Sequence, residues 1–139
     1  MQKKPKVMIA DDEERLRITL GRMLTTRGLD VATFASGQEA VEKLKSDSFD
    51  VVLLDLRMPG MSGLETLARI KEVDPSVEVI LLTGHASVEA AREATKLGVY
   101  DYLLKPCPVE EIILRIESAC ERKGERTRTT RTKNAKGTV

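Results

Sequence analysis

Five short apolar runs, set between longer stretches of helical spacing, restrict this chain more than any other feature. They are Val7-Met8-Ile9-Ala10, Val31-Ala32-Thr33-Phe34, Val51-Val52-Leu53-Leu54, Val79-Ile80-Leu81-Leu82 and Tyr102-Leu103-Leu104. The first, third and fourth are continuous aliphatic runs, as expected for parallel strands covered on both faces. Between the runs, apolar residues fall three and four apart, as in Leu16, Leu20, Met23 and Leu24, and in Leu64, Leu67 and Ile70. Val109, Ile112, Ile113, Ile116, Ala119 and Cys120 form a stripe on the last such stretch. Ser36 with Glu39 and Ser62 with Glu65 match the capping box at predicted helix starts. Gly28 and Gly98 stand at predicted helix ends.

The pattern is a strand followed by a helix, five times over. Right-handed crossovers wind such units into an α/β fold, with helices on both faces of a parallel sheet. A doubly wound five-stranded sheet of flavodoxin-like order 2-1-3-4-5 fits best. In 139 residues no segment is left for a second domain, so one domain is expected over residues 5–121. The helix after Ser87 presents mostly Ala to the sheet and is expected to be the least firmly held.

The near-neutral total charge conceals a division. Residues 1–120 carry 16 Lys and Arg against 20 Asp and Glu, whereas residues 121–139 carry seven basic residues against Glu121 and Glu125. From Arg122 the apolar pattern stops, so residues 122–139 are expected to be a basic disordered tail or the start of a linker. Five net positive charges there suit weak, salt-sensitive contact with nucleic acid, but no recognition helix or stacking residue supports specific binding. Aromatics are 3% of the chain, with no Trp, which counts against a flavin cleft or a single-stranded nucleic-acid platform. Cys107 and Cys120 lack metal-ligand neighbours and read as reduced thiols. No apolar stretch suits a signal peptide or a membrane span, and a cytoplasmic location is expected.

Ligands of doubly wound sheets bind outside the carboxyl ends of the strands. Here the first strand runs into Asp11-Asp12, the third into Asp55, the fourth into Thr83-Gly84 and the fifth into Lys105-Pro106. The second ends blandly in Phe34-Ala35-Ser36, as an edge strand can. Three carboxylates against one ammonium are costly to hold in a partly desolvated crevice. A divalent cation restores the balance, and all-oxygen ligands favour Mg²⁺. With the Thr83 hydroxyl and Lys105 alongside, the crevice suits a phosphoryl group beside a carboxylate nucleophile.

The segments VMIADDEE, VVLLDLRMPGMSGLE, VILLTGHAS and YDYLLKPCP resemble the receiver domain of bacterial two-component response regulators, and the resemblance extends from residue 5 to about 121. The chemotaxis-type receiver is itself a known instance of the 2-1-3-4-5 order. The resemblance implies that Asp55 is the phosphoacceptor, attacking a phosphohistidine on a sensor histidine kinase or phosphotransfer protein. It implies Mg²⁺ held by Asp12, Asp55 and the backbone carbonyl of Arg57, with Asp11 acting largely through water. It implies that Thr83 and Lys105 bind phosphoryl oxygens, that the peptide to Pro106 is cis, and that Tyr102 is an aromatic switch turning inward as Thr83 moves. Output then passes through the fourth helix, fifth strand and fifth helix to a downstream effector, to an output domain missing from this chain, or to a second copy in a homodimer. Arg57 and His85, each two residues beyond a site residue, are expected to flank the entry of attacking water and tune hydrolysis of the acyl phosphate.

The alternative reading is a Mg²⁺-dependent phosphatase working through an aspartyl phosphate. It calls for a second acid/base carboxylate near the nucleophile, where this chain has Leu56-Arg57. A flavin-binding electron carrier on a similar sheet is disfavoured by Asp11-Asp12-Glu13-Glu14, which repel phosphate.

Overall fold

The computed structural model describes residues 4–85 and 87–137, with side chains through Gly124. Ten elements alternate without exception: β1 (Lys6–Ala10), α1 (Glu14–Thr26), β2 (Asp30–Phe34), α2 (Gly37–Ser46), β3 (Val51–Leu54), α3 (Gly63–Val73), β4 (Glu78–Thr83), α4 (Val88–Lys96), β5 (Asp101–Leu104) and α5 (Val109–Gly137). All four strand pairings are parallel and the sheet order is β2-β1-β3-β4-β5. Both were expected from the sequence.

Period-two alternation divides the central strands between two cores. Met8, Ala10, Val52, Leu54, Val79 and Leu81 face α2, α3 and α4, meeting Ala40, Val41, Leu44, Leu67, Ile70 and Ala94. Val7, Ile9, Val51, Leu53, Ile80 and Leu82 face α1 and α5, meeting Leu20, Leu24, Ile112, Ile116 and Ala119. Burying one such aliphatic side chain contributes about 1.5–3 kcal/mol. α3 secures Leu67 and Ile70 in this way, whereas the only buried residue of α4 is Ala94. α4 is therefore lightly held.

The helix signals act locally. Ser36 Oγ and Ser62 Oγ accept the N–H groups of Glu39 and Glu65, and Ser87 Oγ accepts that of Ala90. The Glu39 carboxylate reaches back past the cap residue and accepts the Ala35 N–H. Gly28 and Gly98 end α1 and α4 at φ of +90° and +91°, where an L side chain is strained.

The last helix departs from the tail expected at residue 122, since the backbone of α5 is helical to Gly137. Its apolar stripe does end at Cys120, but polar anchors take over. Lys123 Nζ donates to the Phe49 carbonyl at 2.8 Å, Arg122 Nε lies 3.5 Å from Glu78 Oε2, and the Arg122 guanidinium stacks on Tyr100. A turn held in register makes helix propagation far cheaper than nucleation. Side chains beyond Gly124, and with them most of the basic segment, lie outside the described residues. Among the described residues no helix is long and apolar enough to cross a membrane.

Candidate functional site at the carboxyl edge of the sheet

The hydrogen-bond ladder of the sheet carries the site residues one step beyond their strands. Asp11 N–H donates to the Phe34 carbonyl at 3.1 Å, Asp55 N–H to Ala10 at 3.0 Å, and Lys105 N–H to Thr83 at 2.8 Å. The residues after β1, β3 and β5 are thus placed by the same register that sets the core. Thr83, the last residue of β4, is fully buried among them.

The side chains converge. Carboxylate oxygens of Asp11, Asp12 and Asp55 lie within 4.8 Å of one another. Lys105 Nζ stands 2.9 Å from Asp11 Oδ2 and 3.7 Å from Asp55 Oδ2, bridging the two. Asp11 is buried, Asp55 is half-buried and Asp12 is exposed. The peptide joining Lys105 to Pro106 is cis.

Burial and the neighbouring Asp11 charge push the Asp55 carboxyl above the usual carboxylate range, against Lys105 and the N–H groups of Arg57 and Leu56, which pull it down. One cation thus does not offset the cost of holding these acids together. The residues fit a hard divalent ion, because the donors are all oxygen and the cluster is short of positive charge.

A lone Asp after a strand is usually a helix cap, but Asp12 is not one. The cap position of α1 is Glu13, and no side chain caps that helix. The Glu13 N–H instead finds Asp11 Oδ1 at 2.9 Å, which leaves the Asp12 carboxylate free of a capping role.

Beside Asp55 opens a cleft of about 270 Å³, lined by Leu56, Arg57, Ser62, Leu64, His85, Ser87 and Ala90. It brings together Arg57 and His85, both exposed, from separate loops. Tyr102 is half-buried and its hydroxyl donates to the His85 carbonyl at 3.1 Å.

Gly63 was not singled out in the sequence. A Cβ there meets the Asp55 carbonyl oxygen at 2.4 Å and Leu56 Cα at 2.5 Å, and the Gly63 N–H donates to Leu56 at 2.8 Å. The first turn of α3 therefore lies directly on the backbone that presents Asp55. The available signal was a poor helix former placed just inside a capping box.

Residues 7–117 match the family model described as the response regulator receiver domain. The DNA-binding transcriptional regulator NtrC of Escherichia coli strain K12 is 42% identical over 113 residues, 81% of this chain and 24% of that protein. The chain thus spans about a quarter of that relative. A response regulator receiver domain protein from Clostridium thermocellum superposes with a TM-score of 0.82 at 34% identity, covering 86% of this chain and 97% of its own. A response regulator from Burkholderia pseudomallei, crystallised with a phosphorylated aspartic acid, calcium ion and citrate, gives a TM-score of 0.78 at 31% identity, over 88% of this chain and 73% of its own.

Proposed function

The chain belongs to the response regulator receiver family, a signalling domain of two-component systems, and from that membership we propose that Asp55 is its phosphoacceptor. The observation that carries this reading is the position of Lys105, its ammonium bridging Asp11 and Asp55 inside a cluster of three carboxylates.

An Asp55 carboxylate oxygen attacks phosphorus of a phosphohistidine on a sensor histidine kinase or phosphotransfer protein. A P–O bond forms, the P–N bond breaks, and the imidazole leaves with its electron pair. Asp12, Asp55 and the Arg57 carbonyl would hold Mg²⁺, with Asp11 assisting; bound there, the ion supplies positive charge and a place for a phosphoryl oxygen. Lys105 gives up part of its hold on Asp11 to pair with another phosphoryl oxygen, and the Thr83 hydroxyl donates to a third. Arg57 and His85, facing one cleft, tune the access of hydrolytic water.

Phosphorylation adds up to two negative charges at one point. The pull on Thr83 and Lys105 favours a second arrangement of the loop after β4, in which Tyr102 leaves His85 and turns inward. The α4-β5-α5 face then changes toward an effector, an output domain or a second copy, by as much as the phosphoryl contacts differ between the two states. Exposed Val88, Leu104 and Leu114 give that face apolar surface. The segment after Glu121 serves as the start of a linker, and the protein acts in the cytoplasm. A phosphatase reading lacks support, because Arg57 and not an acid stands two residues beyond Asp55.

The test is incubation with a small-molecule phosphodonor and Mg²⁺, followed by intact-mass measurement. Wild type gains about 80 daltons, one phosphoryl group, and Asp55→Ala gains nothing. An adduct on both proteins, or on neither, overturns the assignment.

A further inference from the structure

We infer that Arg17 is a positioning residue for the acidic cluster: bonded to the Asp11 carbonyl, it fixes the peptide between Asp11 and Asp12 and so aims both carboxylates at one cation. The inference rests on the reading of that cluster as a Mg²⁺ site.

Asp11 is held at every polar atom. Its N–H donates to Phe34, its Oδ1 accepts from the Glu13 N–H, its Oδ2 accepts from Lys105, and its carbonyl accepts from Arg17 Nη1 at 2.7 Å. The carbonyl contact differs from the rest in what it controls. That oxygen belongs to the peptide whose other end is the Asp12 nitrogen, so its direction sets the plane from which the Asp12 side chain departs. Asp12 is exposed and does not cap α1, so its direction depends heavily on that plane.

Arg17 is the fourth residue of α1, near the end where the helix dipole disfavours a cation. Its guanidinium turns back onto the Asp11 carbonyl, a favourable contact at that end of the helix. This carbonyl lies one residue past the end of β1 on a residue only 5% exposed, where an unmade hydrogen bond is costly. Arg17 can act here in two ways, through the position of that peptide or through its own charge.

The sign of the effect separates those two roles. Removing a nearby cation from an acidic site tightens divalent binding if the field is what matters, and releasing the peptide loosens it if position is. Arg17→Met keeps the apolar stem and removes the donor. Titration calorimetry of the intact chain is expected to show Mg²⁺ binding about tenfold weaker than wild type, a usual cost of losing a group that orients a ligand. With small-molecule phosphodonor, the Mg²⁺ concentration for half-maximal phosphorylation rises by the same factor while the rate at saturation stays near wild type. Without metal, hydrogen exchange at the Asp12 and Glu13 amides quickens. Unchanged or tighter Mg²⁺ binding in R17M overturns the inference. Should R17M not fold, R17Q decides: glutamine is neutral and about two bonds shorter, so it removes both the cation and the contact, and weaker binding supports the role while unchanged or tighter binding overturns it. Wild-type protein that takes up no Mg²⁺ overturns the reading of the site itself.

Discussion

Thr83 and Tyr102 hold the same residue from its two ends. The His85 N–H donates to Thr83 Oγ1 at 3.2 Å, and the Tyr102 hydroxyl donates to the His85 carbonyl at 3.1 Å. The buried end of β4 and the ring on β5 are therefore coupled through one backbone unit. Movement of Thr83 toward a phosphoryl group draws on the His85 N–H and, through it, on the tyrosine.

Tyr102→Phe tests that coupling, since it removes the hydroxyl and keeps the ring. A hydrogen bond of this kind contributes about 1 kcal/mol net, so the rearranged loop gains roughly fivefold in population before phosphorylation. The His85 amide resonance is expected to move part of the way toward its phosphorylated position. A spectrum unchanged from wild type means that His85 does not carry the signal.

Asp55 makes stability depend on pH. Its folded-state pKa is raised by burial and by Asp11, so the folded state holds the proton more tightly than the unfolded one. Stability falls as pH rises from the unfolded carboxylate pKa through the raised folded value, and the destabilisation persists above that window. Asp55→Asn removes the charge without changing size. In metal-free buffer at pH 7 it is expected to raise Tm, and the gain shrinks as pH falls through the window. Scanning calorimetry at several pH values checks this, and a variant less stable than wild type at pH 7 contradicts it.

Gly63 is expected to accept no side chain. Alanine favours a helix over glycine by about 1 kcal/mol, but its Cβ meets rigid backbone at 2.4 Å. Overpacking of this kind costs about 1–3 kcal/mol, and the steric term wins. Gly63→Ala lowers the denaturation midpoint and slows phosphorylation, because α3 must back away from the Asp55-Leu56 peptide. Wild-type stability together with a wild-type rate shows that the helix shifts at no cost.

Cys120 is expected to be inert. Burial, with the Asp50 charge next, pushes its thiol up to about 11, so at pH 8 about one molecule in a thousand carries the thiolate. A thiol-specific reagent at that pH labels Cys120 at less than about one hundredth of the rate of a free cysteine. Burial and then the Glu111 charge also raise Cys107, against the opposing pull of Arg115. Rapid labelling of Cys120 in the folded protein contradicts its packing on the inner face of α5.

The alternation of elements, two serine caps and the five strand ends were legible in the sequence because each depends on residues close along the chain. Period two against period three to four, a serine before a helix, and a glycine after one are local facts. So was the shortage of positive charge, which follows from residue types once the strands are parallel. Lys105 and Asp11 are 94 residues apart, and only the register of the sheet decides that they meet at 2.9 Å. The same holds for Arg17 turning back onto the Asp11 carbonyl, for Gly63 lying on the Asp55 peptide, and for Asp12 leaving the cap of α1 to Glu13. Hydropathy marks the end of the stripe on α5 at Cys120, yet the helix runs on, because Lys123 and Arg122 find partners at the far edge of the sheet. Residue type and spacing determine which elements form and which groups reach one edge. The direction of each group depends on backbone planes and hydrogen bonds between distant segments, and those exist only once the sheet has closed.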